Sequence, residues 1–89
     1  MQVTKVEVRP VVSKSALQAF ATVELDGIIC IDSIAILKNR KTGSVFVAMP
    51  SIRTRHGRQQ FIFVRDDKLL NNIRQAILAE YERLQQPGG

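Results

Sequence analysis

The chain has 89 residues, 45% hydrophobic and 24% charged, a composition typical of one folded domain and unlike a disordered segment. Its 13 basic and 8 acidic residues give a formal net charge of +5, which permits contact with a polyanion. No apolar run approaches the roughly 20 residues of a membrane-spanning helix, the N-terminal residues do not read as a signal peptide, and the single cysteine excludes an intrachain disulfide. We expect one cytoplasmic domain over residues 1–89, with no membrane insertion and with residues 86–89 frayed.

Two strands and the turn that follows the second of them are predicted in the N-terminal third. Alternation of apolar and polar residues predicts a strand over residues 3–9. Pro10 should end that strand or lie on a sheet edge, because proline has no N–H to donate to a ladder. A second strand is predicted over residues 16–25, with all its odd-numbered side chains on one face. Asp26 and Gly27 then supply the positive φ angles of a two-residue hairpin turn.

The next segment, residues 28–37, is apolar except for Asp32 and Ser33. This pattern predicts a strand that is covered on both faces or joined to a partner chain. A lone carboxylate in such a strand is costly, so Asp32 should pair with an arginine across a strand or a subunit in a structural role. Cys30 should act as a small hydrophobic residue, because an apolar strand does not lower the pKa of a thiol.

The middle of the chain predicts a turn, two short strands and a loop between them. Residues 38–44 form a positively charged turn, and an apolar strand follows over residues 45–49, where Pro50 stops it. The basic segment after Pro50 is expected to be a loop. A last short strand is predicted over residues 61–64.

One helix is predicted, over residues 66–85. Asp66 is a suitable N-cap, and Asp67 is favourably placed in the first turn. An apolar face recurs at spacings of three and four, formed by Leu69, Leu70, Ile73, Ile77, Tyr81 and Leu84. Several strands followed by one helix predict an α+β fold: a small antiparallel β-sheet with a C-terminal α-helix packed on one face.

The residues that usually carry catalysis are sparse. Cys30 and His56 are the only cysteine and histidine, and they stand 26 positions apart without the close spacing of metal ligands. Gly43 and Gly57 are isolated and indicate turns, not a phosphate-binding loop. His56 is expected to be a solvated loop residue or an extra phosphate donor. We therefore expect no enzyme activity, no cofactor and no small-molecule substrate.

Positive charge is concentrated in one third of the chain. Residues 33–65 contain no Asp or Glu. The same window holds seven of the 13 basic residues: Lys38, Arg40, Lys41, Arg53, Arg55, Arg58 and Arg65. Arginine offers a planar fork of donors that matches phosphate, so these residues are the candidate nucleic-acid contacts. Charges on turns also keep proteins soluble, and composition alone does not separate the two roles.

Four segments together resemble the stage V sporulation protein G (SpoVG) family of septation proteins. They are MQVTKVEVRPV at the start, FATVELDGIICIDSIAIL in the middle, VFVAMPSIRT, and ILAEYERL near the end. The resemblance runs from residue 1 to residue 84, and FVAMPS followed by a basic residue and threonine is its most specific part. It implies a small antiparallel sheet with a C-terminal helix, forming a homodimer through strand pairing.

The resemblance also implies a function. The family is implicated in septation and sporulation control, and its members bind DNA and RNA as regulators through basic residues after MPS. Arg53 matches such a position, whereas Ile52 stands where the family has lysine and Arg55 where it has proline. The expected function is thus a dimeric nucleic-acid-binding regulator. The alternative is a protein-interaction module of the division or sporulation apparatus.

Overall fold

The structure, a computed structural model, describes residues 1–86. In chain order its elements are β1 (Val3–Pro10), β2 (Leu17–Leu25), β3 (Ile29–Lys38), β4 (Val45–Ala48), β5 (Ser51–Thr54), β6 (Gly57–Gln60) and α1 (Asp67–Gln85). The first four strands form an antiparallel sheet in the order β1-β2-β3-β4, and β5 pairs with β6 in a separate hairpin. The predicted α+β fold, with one C-terminal helix on a small antiparallel sheet, is confirmed.

The helix covers one side of the four-stranded sheet, which we call the core face. Ile73 and Ile77 of α1 are fully buried, and the helix contacts β1, β2 and β4. The strands contribute the rest of the core: Val8, Ala19, Ala21, Val23, Leu25, Ile31, Ile34, Ile36 and Val47. Burial of this apolar surface holds the helix on the sheet. The opposite side of the sheet, which we call the open face, has no helix on it within the described chain.

The β2–β3 turn follows the prediction, but the start of β2 does not. Asp26 and Gly27 have φ angles of 53° and 67°, as the hairpin turn requires. Ala19 pairs with Ile36 and Leu17 with Leu37, so β2 carries one extra residue at this point. The resulting bulge turns Leu17 away from the core face, because an extra residue shifts the period-two alternation by one. The prediction that Leu17 shares a face with Ala19 was wrong.

A second bulge lies in β3. Val23 pairs with Ile31 and Ala21 with Ile34, so two residues of β3 stand opposite one residue of β2. The inserted residue, Ser33, has a φ angle of 60°, which few residues other than glycine adopt. The bulge brings Ile31 and Ile34 to the same core face. The open face of β3 is polar and exposed at Asp32 and Ser33 and apolar at Ala35 and Leu37, so within the described residues the strand is not covered on both faces along its length.

The sheet edges and β4 agree with the predictions. β1 is an edge strand, and Pro10 is its last residue, paired with Ala19. β4 ends at Ala48, one residue earlier than predicted and two residues before Pro50. No helix within residues 1–86 is long and apolar enough to cross a bilayer.

The segment after Pro50 was predicted as a loop, and this prediction was wrong. Residues 51–60 form the two-stranded hairpin β5–β6, with Gly57 at a φ angle of 106° after the turn. The strand predicted over residues 61–64 was also wrong, because these residues connect the hairpin to α1 without regular structure. Alternating half-buried Ile62 and Val64 produce the strand-like pattern, since both pack against the core.

The N-terminus of α1 has the predicted cap. Asp66 is extended, and its Oδ1 accepts a hydrogen bond of 2.9 Å from the Leu69 backbone N–H. Fraying was predicted for residues 86–89. Residues 87–89 lie outside the described residues, so only Gln86 is described. The Gln86 backbone N–H donates to the Arg83 carbonyl oxygen at 3.4 Å. The observed helix, Asp67–Gln85, matches the predicted range of residues 66–85 to within one residue.

Candidate nucleic-acid interface

The basic segment is held in place by the β5–β6 ladder, and we call residues 51–60 the arginine hairpin. Arg53 and Arg58 are direct cross-strand partners, so both side chains leave the same face of the hairpin. Like charges placed directly opposite each other repel. Arg55 lies in the exposed turn between the two strands. The hairpin thus brings together three of the predicted nucleic-acid contacts, Arg53, Arg55 and Arg58, within ten residues.

Arg58 is fixed more firmly than its neighbours. Its Nε donates to the Ser51 Oγ at 3.1 Å, and its Nη2 donates to the Ser51 carbonyl oxygen at 3.3 Å. The turn is closed by Thr54, whose hydroxyl donates to the Gly57 carbonyl oxygen at 2.7 Å and accepts from the His56 N–H at 3.2 Å. Arg58 therefore has a set position, with Nη1 still available to another acceptor.

The charges of the hairpin are not neutralised by nearby acids. Among the described residues, no carboxylate lies within 4.0 Å of a guanidinium nitrogen of Arg53, Arg55 or Arg58. The ion pairs of the described chain are Arg9 with Glu7 and Asp32, and Arg83 with Glu80. The arginine hairpin, which lies within the acid-free window of the sequence, is thus a surface of uncompensated positive charge.

The second predicted cluster lies at the other end of β4. Lys38 ends β3, and Arg40 and Lys41 lie in the turn that precedes β4. An Nη2 hydrogen bond to the Lys14 carbonyl oxygen holds Arg40. The Asn39 side chain organises the turn by accepting from the Lys41 N–H at 2.9 Å. The structure therefore separates this cluster from the arginine hairpin by the length of β4.

Arg65 is exposed and directly precedes the helix cap Asp66. No described hydrogen bond or ion pair joins it to the arginine hairpin or to the Lys38 cluster. Of the seven predicted residues, the hairpin thus groups three, the β3–β4 turn groups three more, and Arg65 stands apart.

Two cavities that the sequence did not predict flank Arg58. The first, of about 680 Å³, lies on the open face of the sheet, and we call it the open-face cavity. Its lining includes Leu17, Phe20, Leu37 and Arg58. The second, of about 590 Å³, lies between the hairpin and α1, where Arg58 is joined by Arg74 and Phe63.

The sequence signal for the open-face cavity is hidden by the bulges. Cross-strand pairing places Phe20 opposite Ala35 and Leu37 opposite both Leu17 and Phe46. These apolar side chains share the open face only because β2 and β3 each contain an extra residue. In the sequence, the polar pair Asp32–Ser33 within an apolar strand is the one signal that indicates the β3 bulge and, through the bulge, this surface.

The other half of the open face is polar and is organised by Asp32. Its Oδ1 accepts hydrogen bonds from the Thr22 hydroxyl at 2.6 Å, the Ser33 N–H at 2.7 Å and Arg9 Nη2 at 2.9 Å. These bonds, led by the one from Thr22, hold the pKa of the Asp32 carboxyl below its ordinary value of 3.8. The predicted pairing of Asp32 with an arginine across a strand is confirmed.

Cys30 and His56 show no arrangement for catalysis. Cys30 is exposed on the open face opposite Glu24, so the expectation of a hydrophobic packing role was wrong. His56 is exposed in the hairpin turn. Within residues 1–86, no three His, Cys, Asp or Glu side chains come together as they would around a metal ion.

Comparison with known proteins gives a consistent result. The SpoVG family model matches residues 1–83. The chain belongs to the SpoVG family. Relatives from Priestia megaterium and Geobacillus thermodenitrificans, each named "Putative septation protein SpoVG", are 34% identical over 85 residues. The aligned part covers 94% of this chain and 86% of each relative. A relative of the same name from Clostridium acetobutylicum is 29% identical, with 94% and 87% covered.

The SpoVG match extends over both parts of the candidate interface. Residues 1–83 include the β3–β4 turn, the whole arginine hairpin and most of α1. The sequence resemblance to SpoVG proteins is therefore confirmed across the elements that position the basic residues.

Proposed function

We propose that this SpoVG family member is a nucleic-acid-binding regulatory protein of bacterial septation and sporulation control. The name shared by its relatives supports the link to septation. In this proposal the protein acts in the cytoplasm as a homodimer, uses no cofactor, and is not an enzyme. DNA or RNA contacts the arginine hairpin, assisted by Lys38, Arg40, Lys41 and Arg65.

The paired arginines of the hairpin carry this proposal. Arg53 and Arg58 face each other across β5 and β6, without a carboxylate nearby in the described chain. A phosphate between them would replace repulsion by two charge-assisted hydrogen bonds. The Ser51 contacts keep Arg58 positioned for this, so little side-chain entropy is lost on binding.

Binding of this kind depends mainly on phosphate contacts. Lys and Arg side chains that neutralise phosphates release bound counterions, so affinity falls steeply as salt rises. Phosphate contacts position a protein without reading the bases. We therefore expect strong salt dependence and modest sequence preference.

The first test is a fluorescence-anisotropy titration of labelled DNA and RNA at several salt concentrations. The variant Arg53→Ala/Arg55→Ala leaves the Arg58–Ser51 hydrogen bonds in place. Each lost phosphate contact should lower the slope of log affinity against log salt by about one, so this double variant should lower it by about two. Adding Arg58→Ala should lower it by about one more.

A charge-matched control separates local contact from net charge. Lys5→Ala/Lys68→Ala removes the same charge from β1 and from the first turn of α1, outside the hairpin. This control should keep the wild-type slope. An unchanged slope in the hairpin variant, or equal loss in the control, would contradict the proposed interface.

A second candidate function, protein interaction without nucleic acid, has support from the β2–β3 end of the sheet. Ile28 is 80% exposed and Ile29 is 43% exposed. In the described chain, β4 pairs only with residues 35–38 of β3, which leaves the backbone edge of residues 29–34 open. Such an edge can accept a strand from a partner.

Nuclease treatment distinguishes the two functions. In a pull-down from a bacterial lysate, partners held through DNA or RNA should be lost after nuclease. Partners that persist after nuclease but are lost with Ile28→Asp would favour the interaction module. Retention of those partners by the arginine-hairpin variant would strengthen that conclusion.

A further inference from the structure

The open-face cavity combines an aromatic side chain with a fixed positive charge. Phe20 lies on the cavity wall and is half-buried, and Arg58 stands on its rim. A volume of about 680 Å³ falls within the roughly 300–1,000 Å³ typical of small-molecule and cofactor sites. The cavity is therefore large enough for a planar ring and a neighbouring phosphate.

The charges around the cavity favour an anionic occupant. Arg58 is the only charged residue among those that line it in the described chain. The nearest carboxylate of the open face, Asp32, is paired with Arg9, which also pairs with Glu7. Ser15, Ser33 and Ser51 add hydroxyl groups to an otherwise apolar wall. A ligand with an apolar planar body and a negative group fits these features.

We propose that the open-face cavity binds an unpaired nucleobase, which stacks on Phe20 while its phosphate contacts Arg58. This inference rests on the proposed function and narrows it to single-stranded nucleic acid or to unpaired loops. Phe46, 47% exposed and paired with the cavity residue Leu37, provides a second stacking position on the same face.

A base within a duplex does not meet the requirements of this surface, whereas an unpaired base does. In a duplex both faces of each base are covered by its neighbours, whereas a single strand can turn a face towards an aromatic side chain. Phe20 and Phe46 are separated by two strand spacings and a two-residue step, roughly 12 Å between Cα atoms. Stacked rings lie about 4.5–7 Å apart, so the two side chains would take different bases.

The arginine hairpin lies beside this surface and would supply the backbone contacts. Arg58 belongs to the hairpin and to the cavity at once, and its hydrogen bonds to Ser51 fix it between them. A strand lying along the hairpin would therefore have its bases directed towards the open face. Stacking and phosphate contact then depend on different residues and are separable by mutation.

The test compares three fluorescein-labelled probes of equal length: a thymidine homopolymer, the same backbone with abasic sites, and a duplex. The variants are Phe20→Leu, which keeps an apolar side chain of similar size, and Phe46→Ala. Phe61→Ala is the matched control, since Phe61 is 53% exposed and lines neither cavity. Thermal unfolding of each variant checks the fold, and Phe46→Ala alone carries the test if Phe20→Leu unfolds.

Loss of one stacked base weakens single-strand binding by about 5- to 150-fold when the aromatic side chain is removed. We expect a loss in this range for Phe20→Leu and Phe46→Ala on the thymidine probe. The abasic and duplex probes should bind both variants as they bind the wild type. Phe61→Ala should behave as wild type with every probe.

Different binding results would contradict base stacking at the open-face cavity and nucleic-acid binding as a whole. If the aromatic variants bind the thymidine probe normally while Arg53→Ala/Arg55→Ala does not, stacking is excluded and nucleic-acid binding stands. If the wild type binds none of the probes, the proposed function itself fails. If Phe46→Ala changes the molar mass measured by light scattering, the open face contacts a second copy and the stacking site is overturned.

Discussion

At the scale of single residues, one carboxylate oxygen of Asp32 joins three neighbouring strands. It accepts from Thr22 on β2, from Arg9 on β1 and from the Ser33 N–H within β3. The last of these bonds supports the backbone at the position where Ser33 has its positive φ angle. Asp32 therefore stabilises the β3 bulge as well as pairing with Arg9, and the bulge in turn determines which side chains reach the open face.

The lowered pKa of Asp32 predicts a pH dependence of stability. Its folded-state pKa lies below the ordinary 3.8, so its contribution is fully present above about pH 4 and is lost as pH falls through the folded value. Asp32→Asn should lower the free energy of unfolding at neutral pH. The difference from wild type should shrink below about pH 4, where the wild-type carboxylate also becomes protonated.

Urea unfolding at a series of pH values measures this effect. Glu82→Gln is the matched control, because Glu82 is exposed and makes no described hydrogen bond or ion pair. The control should follow the wild-type profile, including the contribution of Glu80, whose pKa Arg83 also lowers. A difference between Asp32→Asn and wild type that stays constant down to pH 2 would show that Asp32 acts without its charge.

At the scale of elements, the sequence predicts those strands, turns and helices that are determined by apolar–polar alternation, turn residues and helix caps. The strands β1, β2 and β4, the turn at Asp26 and the helix with its cap Asp66 follow directly from these signals. The arginine hairpin does not, because its side chains other than Ile52 are polar on both faces and give no period-two pattern. Its strands depend on pairing with each other and on Gly57.

The candidate site shows the same division. The basic residues are visible in the sequence, because charge does not depend on register. The pairing of Arg53 with Arg58 and the open-face cavity are not visible, because they arise from one hairpin ladder and two bulges. A single extra residue in a strand reassigns every later side chain to the other face, and no local propensity marks it.

The cap of α1 provides an element-scale prediction. Asp66→Ala removes the acceptor for the Leu69 N–H and should cost about 0.5–2 kcal/mol in the free energy of unfolding. Asp66→Asn keeps a capping oxygen and removes only the charge, so it should be much closer to wild type. Urea unfolding of both variants measures the difference. Equal destabilisation of the two would assign the effect to charge at the helix N-terminus instead of to the cap.

At the scale of the whole molecule, the chain forms two layers. Its shortest extent is 20 Å, about the thickness of one sheet and one helix, each of about 10 Å. The single helix covers the core face, and the described chain has no second helix for the other. The open face and the unpaired half of the β3 edge are therefore the surfaces available to a partner.

The proposed homodimer leads to a prediction about molar mass. Light scattering at micromolar concentration should give twice the mass of the chain. Ile29→Lys, at the open edge of β3, should shift the protein towards monomer, because a buried lysine charge opposes strand pairing. Ile52→Lys is the matched control, since Ile52 is 55% exposed on the hairpin instead. A single-chain mass for the wild type would refute the dimer.

The β3 bulge has a consequence for how this sequence tolerates change. Ser33 is the residue by which the two halves of β3 differ in phase. Deleting it would remove the bulge and leave a regular alternation, in which Ile31, Ile34 and Ile36 still face the core while Ala35 and Leu37 stay on the open face. Pairing β3 without the bulge while keeping all of its residues would instead direct Ile34 and Ile36 to the open face and bring Ala35 and Leu37 into the core. Loss of Ser33 as a residue therefore preserves the interior and exterior of the strand, whereas loss of the bulge alone exchanges them.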